Sequence, residues 1–134
     1  MIERVTLKPQ HVRHALEHYE FPDEVIKAAP AVAVVLSQSW CPQWLAMQNW
    51  LGELEHKRDP ADPGVEQPAP DIAVWELEYD GTPYFREFMT LKEQVWGNRL
   101  IPYVRYYREG RLLEAGNYTN AERFLATLRG NGAA

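Results

Sequence analysis

The chain has one cysteine, Cys41, among its 134 residues, so no disulfide can form within it. It has no apolar run longer than the stretch from Ala28 to Leu36, too short for a bilayer that takes about 20 residues to cross. It has no cluster of Lys and Arg either. With 14 basic against 19 acidic residues and a net charge of −5, nucleic acid and anionic membrane surfaces are poor partners. The N-terminal stretch from Met1 to Pro9 lacks the apolar core of a secretory leader, so the expected compartment is the cytoplasm. A phosphate-binding loop, a dinucleotide fingerprint and a Ser-His-Asp arrangement are all missing. So is any internal repeat.

What is present is the composition of an ordinary globular protein, 46% hydrophobic and 25% charged, expected as one domain over residues 1–134. Ile2 to Leu7 reads as a short edge strand. From Pro9, Val12, Leu16 and Tyr19 recur at helical spacing, and Phe21-Pro22-Asp23 breaks that helix before it resumes over Asp23 to Ala29. Val32 to Leu36 is continuous, apolar and β-branched, as in a strand covered on both faces. The next helix carries Trp44, Met47, Leu51 and Leu54 on one stripe. Residues 56–71, with five prolines and glycines, form an irregular loop longer than most connections.

Ile72 to Tyr79 alternates as a strand, with Trp75, Leu77 and Tyr79 on one side and Glu76, Glu78 and Asp80 on the other. Tyr84, Phe88, Leu91 and Val95 make a helical stripe stopped by Gly97-Asn98. Tyr103 to Arg108, the turn Glu109-Gly110 and Arg111 to Ala115 predict a hairpin. Thr119 with Glu122 predicts a capping box for a last helix that turns Ala121, Phe124, Leu125 and Leu128 inward. The order β-α-β-α-β-α-β-β-α implies an α/β fold, a central mixed β-sheet with helices on both faces. The end of Val32–Leu36 then lies near the sheet centre, where such folds hold their sites.

Cys41 stands just beyond that end. Pro42 suits the first helical position, which places Cys41 at the N-cap, where its sulfur is expected to accept backbone N–H groups of the first turn. The positive end of the helix and those donors favour the thiolate. The plainer reading keeps Cys41 as a small buried apolar residue. Trp44 either packs in the core or roofs the thiol. Trp40, beside the cysteine, is the better contact surface, because aromatic anchors suit peptide recognition.

Three stretches together resemble the thioredoxin family. Val-Val-Leu-Ser-Gln-Ser-Trp-Cys-Pro (34–42) is similar to its buried strand and Trp-Cys turn, and Asn-Arg-Leu-Ile-Pro-Tyr-Val-Arg-Tyr-Tyr (98–107) to its Ile-Pro loop and following strand. Arg-Glu-Gly-Arg-Leu-Leu-Glu-Ala-Gly (108–116) is similar to its hairpin. The resemblance implies a thioredoxin-like fold, Cys41 as nucleophile, and a cis Ile101–Pro102 bond beside it. It also implies a groove shaped by Trp40, Pro42, Trp44, Ile101, Pro102 and Tyr103. The family's Cys-X-X-Cys reads here Cys41-Pro42-Gln43-Trp44, so the resolving cysteine is missing, and Val35 matches the position of a buried acid that serves it. A two-cysteine cycle within one chain is excluded.

Other thiol chemistries fit poorly. A phosphatase loop wants arginine where Met47 stands, a peroxiredoxin wants threonine or serine where Gln38 stands, and Cys-Pro-Gln-Trp departs from the Cys-Gly-Phe-Ser of cluster-binding monothiol glutaredoxins. His11, His14 and His18 share a helical face away from the Val12 stripe, better explained as a solvated face than as a metal site. The pairs Glu53/Glu55 and Glu76/Glu78 read as solvent-facing strips. No resident cofactor or metal is expected.

Two functions follow. One is monothiol thiol-disulfide exchange through Cys41, with an external thiol such as glutathione resolving the mixed disulfide. The partner is then a protein or a low-molecular-weight thiol or disulfide. The other is a non-catalytic module that keeps the groove to bind a protein or peptide segment by strand addition.

Overall fold

The alternation in β2 organises the molecule. In the computed structural model, which describes residues 2–55 and 69–130, β2 (Ala31–Ser37) is buried at every position. Its even-numbered residues Val32, Val34 and Leu36 face one core, and its odd-numbered residues Ala31, Ala33 and Val35 face another, as the period of two requires. β1 (Ile2–Thr6) and β3 (Ile72–Glu78) run parallel to it, β4 (Tyr103–Arg108) runs antiparallel to it, and β5 (Arg111–Gly116) pairs antiparallel with β4. The order β1-β3-β2-β4-β5 is the mixed sheet that the sequence implies, with β1 at one edge.

Helices α1 (Pro9–His18), α2 (Asp23–Ile26) and α4 (Phe85–Thr90) contribute Val12, Ala15, Val25, Ile26 and Phe88 to the even-side core. Helices α3 (Pro42–Leu54) and α5 (Ala121–Leu128) contribute Trp44, Met47, Leu51, Phe124 and Leu128 to the other. Burying both sheet faces in this way is what the apolar run in β2 demands. The irregular 56–71 stretch falls outside the described residues, apart from its last three.

Several local expectations need correction. Tyr19 leaves the α1 stripe because it is the C-cap, in the left-handed region with φ 62°, and its side chain is exposed. His11 is fully buried instead of lying on a solvated face. Its Nδ1 accepts the Lys8 N–H at 3.0 Å, its ring meets Trp75 edge-on at 5.2 Å, and Nε2, which must then carry the proton, stands 3.2 Å from Glu24. Glu76 is part-buried because Arg4 grips its carboxylate with Nε and Nη2. The last helix is capped by Asn120, not Thr119, with its Oδ1 accepting the Arg123 N–H at 2.9 Å.

The helix after Tyr84 ends in a π turn over Leu91–Val95, closed by the Trp96 N–H to the Leu91 carbonyl. That wider turn re-phases the stripe. Val95 is turned to solvent, while Lys92, four residues after Phe88, is fully buried. Gly97, at φ 72°, then ends the element.

Candidate functional site

The C-terminal end of β2 delivers the chain into a turn over Gln38 to Cys41. Asp80 ties this turn from the other side, accepting the Ser39 N–H at 2.9 Å and its hydroxyl at 2.6 Å. The Ser39 hydroxyl is the main reason that the Asp80 carboxyl is held below its usual value. Gln38 then sets Trp40. Its Nε2 donates to the Tyr79 hydroxyl at 3.3 Å, and its Oε1 accepts the Trp40 indole N–H at 2.6 Å. Trp40 is therefore 66% exposed yet anchored.

Cys41 is the N-cap of α3 and Pro42 its first residue, as the sequence requires. The sulfur, however, accepts none of the first-turn N–H groups. The residue is 5% exposed, belongs to the odd-side core, and its S–H points at the Ile101 carbonyl, 3.9 Å away. A carbonyl only accepts, so in this contact the sulfur is the donor. The Ile101–Pro102 peptide is cis, and it lies against Cys41 as the resemblance implies.

The remaining expected groove residues divide. Ile101 is half-buried, Pro102 buried and Pro42 exposed. Trp44 is 2% exposed, and its indole N–H goes to Glu78 at 2.9 Å, so it serves as core. Tyr103 turns into the opposite core, where its hydroxyl accepts from Arg105 at 3.0 Å. Neither side chain lines the groove. Leu45, in the first turn of α3, and Leu100, next to Ile101 in sequence, are also more than half exposed.

A polar clamp that the sequence did not announce holds the 98–102 loop. Lys92 Nζ donates to the carbonyls of Asn98 and Leu100 at 2.8 and 2.9 Å. Asn117, just past β5, pairs amide to amide with Asn98 and donates to the carbonyls of Leu100 and Pro102. Burial lowers the Lys92 pKa, partly offset by Glu93. The signal for Lys92 lay in its spacing of four from Phe88, which puts both on one face of a helix. Asn117 carried no local signal.

Among the described residues no group of three or more His, Cys, Asp or Glu comes together as a metal would need. None of the described helices is long and apolar enough to cross a membrane. The His14 and His18 rings meet at 4.5 Å, tilted by 44°, while His11 is held apart by the contacts given above.

No protein-family model and no curated protein matches this sequence. Solved structures do. A mutant thioredoxin from Halobacterium salinarum aligns over 98% of this chain and 93% of its own, with TM-score 0.61 and 14% identity. Thioredoxin O1 from Arabidopsis thaliana, in its oxidized state, aligns over 95% and 96%, with TM-score 0.61 and 10% identity. Spinach chloroplast thioredoxin F, in its short form, aligns over 96% and 92%, with TM-score 0.58 and 16% identity. At such identities the likeness speaks for architecture alone, and that architecture, with Cys41 as the lone cysteine at the start of α3, is the thioredoxin fold.

Proposed function

We propose that this chain is a thioredoxin-fold binding module that receives an extended protein segment along the Ile101–Pro102 edge, beside Trp40. The observation that carries the reading is Trp40: a large aromatic side chain left 66% exposed and fixed in orientation by Gln38. Aromatic anchors held rigid before binding lose little freedom when a partner arrives. Leu45 and Leu100 add exposed apolar side chains, and the backbone of Ile101 supplies hydrogen bonds of the strand-addition kind. The buried, donor-less sulfur of Cys41 fits lining better than chemistry.

The test is selection of linear peptides from a displayed library. The reading expects enriched sequences whose binding is lost in Trp40→Ala and kept in Cys41→Ser. Failure to enrich any sequence, or equal binding by Trp40→Ala, overturns it.

A second reading, monothiol exchange, is favoured by the position of the sulfur at that same edge, 3.9 Å from the Ile101 carbonyl. In it the Cys41 thiol loses its proton to solvent, and the thiolate attacks one sulfur of a substrate disulfide, expelling the other as thiolate. The thiolate of an external thiol such as glutathione then attacks the substrate sulfur of the mixed disulfide. This forms a substrate–glutathione disulfide and expels the Cys41 thiolate, which takes back a proton from solvent. Glutathione-dependent reduction of hydroxyethyl disulfide, present in the wild type and absent in Cys41→Ser, would establish this reading. No activity above the glutathione background would remove it.

A further inference from the structure

We propose that Lys92 is a positioning residue for the docking edge: its buried ammonium fixes the orientation of the Leu100–Ile101 peptide and so presents the Ile101 N–H to an incoming segment. Its purpose rests on the binding reading above, but its geometry stands without it.

Lysine is almost never fully buried unless paired, and Lys92 is fully buried. Among the described residues no carboxylate reaches its Nζ, since Glu93 is turned towards Arg99 at 3.8 Å. Its partners are instead the carbonyls of Asn98 and Leu100, with the Tyr103 ring 5.8 Å away. The Lys92 backbone carbonyl accepts the Asn98 N–H at 3.0 Å, so this one residue holds the start of the loop from both ends. A buried charge held this way adds little to stability that an apolar side chain of the same length would not. What it does do is dictate where two carbonyls point.

In a trans peptide the carbonyl and the next N–H point in opposite directions. The Leu100 carbonyl is drawn inward by Lys92 at 2.9 Å and by Asn117 at 3.2 Å. The Ile101 N–H is therefore turned outward, and among the described residues no group accepts it. The same reasoning turns the Arg99 N–H outward through the Asn98 carbonyl. Ile101 thus offers a donor to the groove beside its own carbonyl at Cys41, the paired pattern that a strand edge presents. With methionine at position 92 the Asn98 carbonyl loses its buried donor and must rotate towards water, which rotates the loop peptides with it.

The experiment compares wild type and Lys92→Met by backbone amide spectroscopy and by affinity for a peptide selected on the wild type. The expected result is a folded variant in which the Ile101 and Arg99 amide resonances are displaced and affinity falls about tenfold or more. A folded variant with both resonances in place overturns the proposal, as does affinity within about twofold of wild type. Should the variant not fold, wild-type hydrogen exchange decides: a freely exchanging Ile101 amide supports the proposal, and a strongly protected one overturns it. Should no peptide be selected, the binding reading falls, and the amide measurements still judge Lys92 by themselves.

Discussion

Arg105, in the middle of β4, and Glu20, in the bend between α1 and α2, meet at 3.0 Å across 85 positions of sequence. The guanidinium lies over the Trp96 indole at 4.2 Å and donates to the hydroxyls of Tyr103 and Tyr107. Tyr107 donates in turn to the Glu20 carboxylate. This network joins the helical layer to the sheet through a charge that is almost wholly buried.

Removing one partner of such a pair strands the other. Glu20→Ala is expected to cost about 2–3 kcal/mol in urea unfolding, below the ~3–5 of a fully buried pair because Glu20 still reaches water. Arg105→Met strands Glu20 instead, whose carboxylate is 34% exposed and can turn to water, so it is expected to cost less. The reverse ranking would show that the Trp96 stack, not the ion pair, holds the network.

Alkaline titration tests the same region. Burial raises the pKa of Tyr79, Tyr106 and Tyr107 above the usual 10. The folded chain holds these phenolic protons more tightly than the unfolded one. Their contribution is therefore complete below pH 10 and is lost as pH rises from there towards the folded values. Lys92 works in the opposite sense, since its lowered pKa favours the folded state as pH climbs to the usual 10.5. Tyrosinate absorbance should accordingly show these three ionising together with loss of the fold. Their ionisation in the intact fold would contradict the burial assigned to them.

Trp40→Ala should separate binding from stability. The side chain is mostly exposed, so the melting temperature is expected to hold within the equivalent of about 0.5 kcal/mol. Peptide affinity should fall by about 2 kcal/mol, roughly 30-fold, as for an anchor residue. A stability loss of the same size would make Trp40 a packing residue.

Trp44→Cys restores a second thiol at the spacing that the thioredoxin pattern uses, and it is expected to be expensive. The buried indole fills the odd-side core and bonds Glu78, so its removal should cost about 3–5 kcal/mol in denaturant unfolding. A cost under about 1 kcal/mol would mean that the position is still free to accept the redox pair.

Much of the architecture was legible because it follows from periodicity. The unbroken apolar run of β2, the alternation in β3 and the hairpin turn at Glu109-Gly110 each carry their own geometric signature. Cys41 at the N-cap and Pro42 after it were equally readable. The errors came where a neighbour distant in sequence decides the outcome. His11 is buried by Trp75 and bound by Lys8, Glu76 is gripped by Arg4, and Tyr103 is claimed by Arg105. The sulfur was expected to meet N–H groups of its own helix, and it faces the carbonyl of a loop 60 residues on. The Thr119 box failed for a smaller reason, because Asn120 outcompetes it by one position.

The π turn over Leu91–Val95 makes the helix behave like a sentence with one extra letter. Everything after it is read in a shifted frame, and the valine at position 95 is thrown out to water. Deleting one residue after Lys92 would restore the ordinary frame, leave Lys92 on the face of Phe88 and swing the 98–102 loop away from its ammonium. The loop before β4 would lose its hold at a single stroke, although no residue of that loop had been touched.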